Sequence, residues 1–269
     1  MYEKERIREY LKNYPRLERI AIALFLKCRY LRTLFIYNLA RLTSRGVPAK
    51  KYSWAIMKGP RNIAESWSMY GEKTIQDLIA NLAVKGVCVD AGAWVGKYSF
   101  LLAKTARRVI AIEPDKLNFR LLQENIDLND KNIEPIQAAL DYKDGEAKLA
   151  LSNSSSGHGL ADVCYSDKVS EHVYGYKVKT ISLNSLLNLI GEDIDFIKMD
   201  IQGAEFRVLR DADENVFSRV KRWLVEVHRV KDQEEVDLES IFKKHGYSVE
   251  RVKLHDVDYP TYIYAVKNT

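Results

Sequence analysis

Val87-Cys-Val-Asp-Ala-Gly-Ala-Trp-Val-Gly96 is the stretch that decides the fold. It begins as a buried strand that ends in Asp90, and its glycines then permit a tight turn before a helix. Glu113-Pro114 ends the next strand pattern, 23 residues after Asp90. Because a carboxylate at this spacing can accept both ribose hydroxyls, the pattern predicts a site for a cofactor that contains adenosine.

Two cofactor classes fit this pattern, because a dinucleotide and S-adenosylmethionine both present an adenosine ribose. The turn from Gly92 to Gly96 lacks GxGxxG spacing and would be a poorer cradle for a pyrophosphate. The simpler alternative is structural: the glycines only connect a strand to a helix, and Glu113 only caps the following helix.

The chain around this stretch predicts an α/β fold, since from about Glu72 onward short apolar runs alternate with helical patterns. The predicted strands are Val87–Asp90, Val109–Ile112, Glu134–Ala138, Ile194–Asp200, Arg222–His228, Tyr247–Val252 and Tyr262–Val266, with extra strands at Ala147–Leu151 and Tyr176–Thr180. The predicted helices are Tyr98–Thr105, Lys116–Leu128, Gly203–Arg210 and Gln233–His245. The polar run Ser152–Gly159 predicts a mobile surface loop, a substrate gate or a simple hairpin tip, with His158 in solvent.

Composition and charge divide the chain in two. Its 269 residues are 46% hydrophobic and 29% charged, which is typical of a globular protein and not of a disordered or fibrous one. The first 62 residues carry a net charge of +11, whereas the remainder carries −6. We therefore predict a basic helical extension over residues 1–70 and a main domain over residues 71–269. Three cysteines without CxxC spacing indicate reduced thiols.

The basic extension contains an amphipathic helix pattern over residues 16–42. A segment of this kind, here residues 16–45, can lie on an anionic membrane surface or bind phosphates, or it can pack on the main domain with its charges in water. No apolar run approaches the roughly 20 residues of a membrane span, and the N-terminus has no secretion-signal pattern. The expected location is the cytoplasm, at the membrane periphery if the helix binds lipid.

Four polar residues follow two later strands, on the edge where Asp90 and Glu113 are expected. Asp200 ends one strand, Glu205 begins the next helix, and Glu226 and His228 share one face of the neighbouring strand pattern. Such a group can take a proton from a substrate hydroxyl, with histidine the favoured base, or Asp200, Glu226 and His228 can bind a divalent metal. The structural alternatives are a buried histidine and a Glu205 that stabilises its helix and pairs with Lys198.

These residues resemble the FkbM-like group of class I S-adenosylmethionine-dependent methyltransferases. The matching motifs lie between roughly Glu72 and Val266. They are Asp90–Gly96, Glu113-Pro114, Ala138–Asp141 with Lys143–Ala147, Ile197–Glu205 and Val225–His228.

The resemblance implies a Rossmann-like, seven-stranded, mostly parallel sheet with an antiparallel last strand. It implies S-adenosylmethionine held by Asp90, Gly92, Ala93, Gly96, Ser99, Glu113, Pro114, Ala139 and Asp141. Asp200, Glu205, Glu226 and His228 are then the catalytic candidates. One departure concerns Trp94, which stands where the family usually carries a small polar residue, often Asn.

Family members look like O-methyltransferases that act on hydroxyls of sugars, glycans or natural products, and this is the expected activity. Asp200-Ile-Gln-Gly203 also stands where amino-group methylases commonly carry Asn-Pro-Pro-Tyr. An RNA or tRNA methylase that grips phosphates through residues 1–62 is the weaker alternative, because the predicted helix is rather apolar for that task. A non-catalytic binding module on the same fold is the third.

Overall fold

The computed structural model describes residues 47–48, 56–57, 73–129, 132–152, 156–163, 175–228, 235–253 and 261–268. The chain divides into two compact units, Met1–Tyr70 and Gly71–Thr269. In the first unit the described residues form an antiparallel pair of short strands, β1 (Val47–Pro48) and β2 (Ile56–Met57). The predicted helix over residues 16–42 lies outside the described residues.

The second unit is built on a seven-stranded sheet. Its strands are β3 (Val87–Ala91), β4 (Arg108–Ile112), β5 (Ile133–Ile136), β10 (Ile194–Met199), β11 (Arg222–Val227), β12 (Tyr247–Lys253) and β13 (Thr261–Lys267). Their order across the sheet is β12-β13-β11-β10-β3-β4-β5. β13 is antiparallel to both of its neighbours, whereas the pairs among β10, β11, β3, β4 and β5 are parallel. The prediction of a mostly parallel sheet with an antiparallel last strand is confirmed.

The central strands are apolar because helices and loops cover both faces of the sheet. Every residue of β3 is buried, and so are the last four residues of β4. Continuous runs of this kind are typical of parallel strands that are buried on both faces. The chain order reverses between β3 and β10, and the carboxyl ends of strands at such a point are where open α/β sheets bind ligands.

Seven helices occur among the described residues. They are α1 (Lys73–Leu82), α2 (Lys97–Leu102), α3 (Lys116–Asn129), α4 (Leu183–Ile190), α5 (Glu205–Arg210), α6 (Glu214–Arg219) and α7 (Glu235–Lys244). The sequence pattern predicts α5 from Gly203, but the helix begins at Glu205. Gln202 and Gly203 have φ values of 58° and 112°, which a right-handed helix does not accommodate.

A four-stranded insert between β5 and α4 covers the carboxyl edge of the sheet. It consists of β6 (Ala139–Leu140), β7 (Gly145–Ala150), β8 (Gly159–Leu160) and β9 (Gly175–Ile181), in the order β6-β9-β7-β8. Both extra strands of the prediction are therefore present. The predicted loop Ser152–Gly159 extends one residue too far, because Gly159 is the first residue of β8.

The prediction that His158 lies in solvent is wrong. Its side chain is only 12% exposed, because β8 pairs this end of the predicted loop with Leu149 and Ala150, the buried end of β7. None of the helices in the described part of the chain is both long and apolar enough to span a lipid bilayer.

Candidate active site

The glycine turn after β3 is held against the end of β4. The backbone N–H groups of Gly92 and Ala93 both donate to the carbonyl of Ile112, at 3.0 and 2.9 Å. Gly92 has φ of 78°, and a Cβ at this position would lie 1.8 Å from the backbone oxygen of Asp200. Only glycine fits here, because the end of β10 approaches the turn too closely for any side chain.

Trp94 lies in the same turn in a conformation that few bulky residues adopt. Its φ is 52°, a region in which Asn is enriched and which costs other residues about 1–3 kcal/mol. The conformation directs its backbone N–H to Glu113 Oε2, at 2.8 Å. The departure from the family pattern thus places a strained, largely buried tryptophan in the turn while keeping its amide bonded to Glu113.

Glu113 follows β4 as a buried carboxyl surrounded by donors. Besides Trp94, the backbone N–H of Asp115 donates to Oε1 at 2.9 Å, and Asn118 Nδ2 lies 3.4 Å from the same oxygen. Burial raises the pKa of Glu113 to about 8, against the effect of these hydrogen bonds. They hold the carboxyl in one orientation beside the cleft described next.

A cleft of about 490 Å³ opens beside this turn, and we call it the cofactor cleft. This volume includes space that is open to solvent. The lining residues are Gly92, Trp94, Ile112, Glu113, Pro114, Ala138, Ala139, Leu140, Leu149, Ser156, His158, Gly159, Leu160, Asp200, Ile201 and Gln202. The aliphatic walls of the cleft suit a purine, and the carboxyl of Glu113 lies at the end of β4. Both features fit an adenosyl group.

The nine predicted cofactor residues fall into two groups. Four of them line the cleft, namely Gly92, Glu113, Pro114 and Ala139. The other five do not line it: Asp90, Ala93, Gly96, Ser99 and Asp141 are buried or lie in the turn.

Asp90 and Asp141 each have a close polar partner. Asp90 is fully buried and accepts a hydrogen bond from the Ser99 hydroxyl at 2.6 Å. Burial raises its pKa, and the nearby ammonium of Lys198 opposes that shift. The carboxyl of Asp141 lies 2.7 Å from Arg207 Nε, an ion pair that sequence reasoning did not anticipate.

Asp200, Glu226 and His228 meet at the ends of β10 and β11, and we call them the acceptor cluster. The two strands are parallel neighbours with Met199 opposite Val225, so Asp200 follows beside Glu226. His228 Nε2 lies 3.8 Å from Asp200 Oδ1 and 3.8 Å from Glu226 Oε1. Asp200 also lines the cofactor cleft, so the cluster adjoins that cleft.

Glu205 binds the imidazole of His228 at Nδ1, the nitrogen that does not face Asp200 and Glu226. Its Oε1 lies 2.9 Å from His228 Nδ1, and the carboxyl also accepts the backbone N–H groups of Ile201 and Gly203, each at 3.0 Å. Burial alone would lower the pKa of His228, but Glu205 and the two carboxylates of the cluster outweigh it and raise this pKa to about 10. Glu205 therefore orients the ring, and the ring carries its proton near neutral pH.

Lys198 is the buried cation of the site. Its Nζ lies 3.1 Å from Asp200 Oδ2 and 3.9 Å from Asp90 Oδ1, with a side chain that is 1% exposed. Burial raises the pKa of Asp200, but Lys198 and His228 outweigh it, and the net pKa lies below its usual value. The alternative in which Lys198 pairs with Glu205 is wrong, because the ammonium lies between Asp200 and Asp90 of the neighbouring strand β3.

Glu226 is bonded to a tyrosine from the antiparallel strand. Tyr262 on β13 is its register partner and donates its hydroxyl to Glu226 Oε2 at 2.6 Å. Burial and the charge of Asp200 raise the pKa of Glu226 to about 8. Nothing near Tyr262 in the sequence marks it, because the contact depends on the register of β11 with β13.

The acceptor cluster also has the ligand set of a divalent metal site. One oxygen or nitrogen from each of the three residues lies within 4.8 Å of the others. Both oxygens of Asp200, however, already accept donors, from Lys198 at 3.1 Å and from Gln202 Nε2 at 2.9 Å. A cation held here would lie close to the ammonium of Lys198, which disfavours it electrostatically.

Comparisons with known proteins identify a family for this chain. Residues 90–249 match the methyltransferase FkbM domain, which is more than half of the chain. Over 177 residues the chain is 26% identical to methyltransferase sdnD of Sordaria araneosa, with 55% of this chain and 68% of that protein covered.

Solved structures of similar fold share little sequence with this chain. A protein from Streptococcus mutans in complex with S-adenosylhomocysteine is 13% identical, with 73% of this chain and 96% of that chain covered and a TM-score of 0.47. An rRNA methylase from Streptococcus thermophilus is also 13% identical, with 73% and 95% covered and a TM-score of 0.46. On the family match, the chain belongs to the FkbM methyltransferase family and is an S-adenosylmethionine-dependent methyltransferase.

Proposed function

We propose that this methyltransferase acts on a hydroxyl oxygen of a sugar, a glycan or a natural product. The observation that carries the proposal is the acceptor cluster, in which His228 Nε2 lies 3.8 Å from a carboxylate oxygen of both Asp200 and Glu226 beside the cofactor cleft. A hydroxyl must lose a proton when it is methylated, and this cluster offers acceptors for that proton.

S-adenosylmethionine supplies a methyl group that is already activated on a sulfonium. The protein's task is to hold the acceptor oxygen in line with that methyl group and to receive the hydroxyl proton. The acceptor oxygen forms its bond to the methyl carbon while the carbon–sulfur bond breaks. The products are then the methyl ether and S-adenosylhomocysteine, with the proton on a side chain of the cluster.

Glu226 is the proton acceptor that we propose. With its pKa raised to about 10, His228 holds its own proton near neutral pH and serves as a charged hydrogen-bond donor. Glu226 has a pKa raised to about 8, close to the range in which a general base is most effective. This assignment replaces the histidine base that the residue types alone favour.

The test is methyl transfer from labelled S-adenosylmethionine to a panel of hydroxyl acceptors. Glu226→Gln removes the proton acceptor and keeps the side-chain size, so we expect transfer to fall by roughly 10²–10⁴-fold. Binding of S-adenosylhomocysteine should stay unchanged. Glu214→Gln is the matched control, because Glu214 also contacts a histidine, His245 at 3.0 Å, on a different surface.

Transfer at the full rate by Glu226→Gln would remove Glu226 from the mechanism. Methylation of amines but of no hydroxyl acceptor would overturn the proposed activity itself. Because Lys198 already neutralises Asp200, we expect the rate to survive treatment with EDTA. A rate that disappears with EDTA and returns with Mg²⁺ or Mn²⁺ would instead assign the cluster to a metal.

A further inference from the structure

A strained residue, Gln202, lies where the cofactor cleft meets the acceptor cluster. It lines the cleft, and its φ of 58° belongs to the left-handed region, which residues other than glycine enter at a cost. The carboxyl of Glu205 enforces this conformation, because it accepts the backbone N–H groups of Ile201 and Gly203 on either side. Backbone strain that the surrounding structure enforces is concentrated at functional sites.

The side chain of Gln202 binds Asp200, a residue that belongs to both the cleft and the acceptor cluster. Gln202 Nε2 donates to Asp200 Oδ1 at 2.9 Å. An ionised carboxylate only accepts hydrogen bonds, so it is the NH2 end of the amide that must face Asp200. Lys198 binds the other oxygen, Oδ2, at 3.1 Å. Each oxygen of the carboxylate therefore has one fixed donor.

Gln202 is the donor on the cleft side of this carboxylate. The side chain of Lys198 is only 1% exposed, whereas that of Asp200 is 22% exposed and Gln202 lines the cleft. The backbone of Asp200 is fixed independently, since its N–H donates to the carbonyl of Ala91 at 3.0 Å. Loss of the amide would thus let the carboxylate rotate about its Cβ–Cγ bond without moving the strand.

We propose that Gln202 is a positioning residue for methyl transfer, whose amide fixes the carboxylate of Asp200 where the acceptor cluster meets the cofactor cleft. Each oxygen of that carboxylate keeps a second lone pair, with which it can accept a hydrogen bond from the methyl acceptor. Misplacing a group in such a contact by about 1 Å can lower a rate by roughly 10²-fold. The inference rests on the part that Asp200 takes in the reaction, and not on Glu226 as the proton acceptor or on a hydroxyl as the methylated group.

The experiment compares Gln202→Met with Gln202→Gly in the full chain. Methionine removes the donor at similar size and keeps the strain, whereas glycine removes both the donor and the strain. We expect kcat to fall roughly 10- to 100-fold in both variants, the range for a lost hydrogen bond to a charged group. The assay uses labelled S-adenosylmethionine and whichever hydroxyl or amine the parent methylates, so the test stands even if hydroxyl methylation fails. Binding of S-adenosylhomocysteine, measured by calorimetry, should stay close to that of the parent.

The melting temperature separates this role from a purely structural one. Gln202→Gly should melt about 2–4 °C above Gln202→Met, because only glycine relieves the left-handed strain. If Gln202 merely supported the fold, kcat would follow the melting temperature and the glycine variant would be the faster of the two. Gln123→Met is the matched control, because Gln123 is exposed on α3, and it should behave as the parent does in every assay.

Crystal structures of the parent and of Gln202→Met with S-adenosylhomocysteine give a readout that needs no acceptor. The carboxylate of Asp200 should have one orientation in the parent and more than one in the variant. Four results would overturn the assignment: a single, parent-like orientation in Gln202→Met, a parent-like kcat in that variant, a kcat that recovers in Gln202→Gly, or weaker binding of S-adenosylhomocysteine with unchanged kcat. The last would make Gln202 a cofactor contact.

Discussion

Replacing Lys198 by Met should destabilise the protein far more than loss of an ordinary ion pair. The side chain is buried, and its Nζ lies 3.1 Å from Asp200 and 3.9 Å from the fully buried Asp90. Methionine fills a similar volume, so the variant tests charge and not packing. Removing one partner of a buried pair costs about 3–5 kcal/mol, because the remaining charge stays buried without compensation. We expect a loss of that size in the free energy of unfolding at pH 8.

The loss should depend on pH in a defined direction. Without Lys198, the pKa of Asp90 in the folded protein rises further above its unfolded value, and that of Asp200 rises above its own. At pH values between the unfolded and the folded pKa, the folded state binds more protons than the unfolded state. The variant therefore loses stability as pH rises and regains it as pH falls. Each pKa unit of that rise corresponds to about 1.4 kcal/mol. The difference from the parent should therefore be smaller at pH 5.5 than at pH 8.

Urea unfolding, followed by circular dichroism at both pH values, measures this difference. Lys221→Met is the matched control, because Lys221 pairs with Asp195 at 2.6 Å but is 60% exposed. An exposed pair of this kind contributes at most about 1 kcal/mol. A loss of stability in Lys198→Met that is no larger than in Lys221→Met, or that is the same at both pH values, would contradict a buried charge without compensation.

Three further predictions concern Gly92 in the turn after β3, the carboxyl of Glu113 and the hydroxyl of Tyr262. Gly92→Ala should abolish methyl transfer and lower the melting temperature strongly, because the new Cβ would meet the backbone at the end of β10. Gly191→Ala, also at positive φ but in open space, should cost only about 1–2 kcal/mol in urea unfolding. Glu113 has a pKa raised to about 8, so its folded state holds a proton that the unfolded chain has lost. The free energy of unfolding should therefore fall as pH rises from about 5 to 8. In Glu113→Gln this part of the pH dependence should be absent. Tyr262→Phe removes a bond that lowers the pKa of Glu226, so the rise of kcat with pH should move to higher pH. A dependence of kcat on pH that is the same in Tyr262→Phe and in the parent would show that Glu226 is not the base.

Local sequence patterns predict the sheet and the cofactor turn well. Strand positions follow from short apolar runs, and the carboxyl ends of parallel strands meet at one edge whatever the details of the loops. The meeting of Asp200, Glu226 and His228 could therefore be predicted from their positions at strand ends. The start of α5 could not, because the positive φ values of Gln202 and Gly203 arise from the carboxyl of Glu205, which binds the backbone of this loop.

Contacts between distant segments had no signal in the sequence. Tyr262 reaches Glu226 through the register of an antiparallel pair, and Arg207 reaches Asp141 through the packing of α5 beside the insert. A pairing of Lys198 with Glu205 is one alternative that the sequence allows, but the ammonium lies beside Asp90 and Asp200. Short separation along the chain is a poor guide to contact where a strand ends.

The amino-acid order alone determined the layered α/β architecture, the acidic strand ends and the adenosine-type cofactor, since each depends on residue type and spacing within a single segment. Only the tertiary structure decided which carboxyls line the cleft, that His158 lines it as well, and how closely Asp200, Glu226 and His228 lie together. Those properties depend on burial and on charges brought together from separate strands, and no single segment contains them.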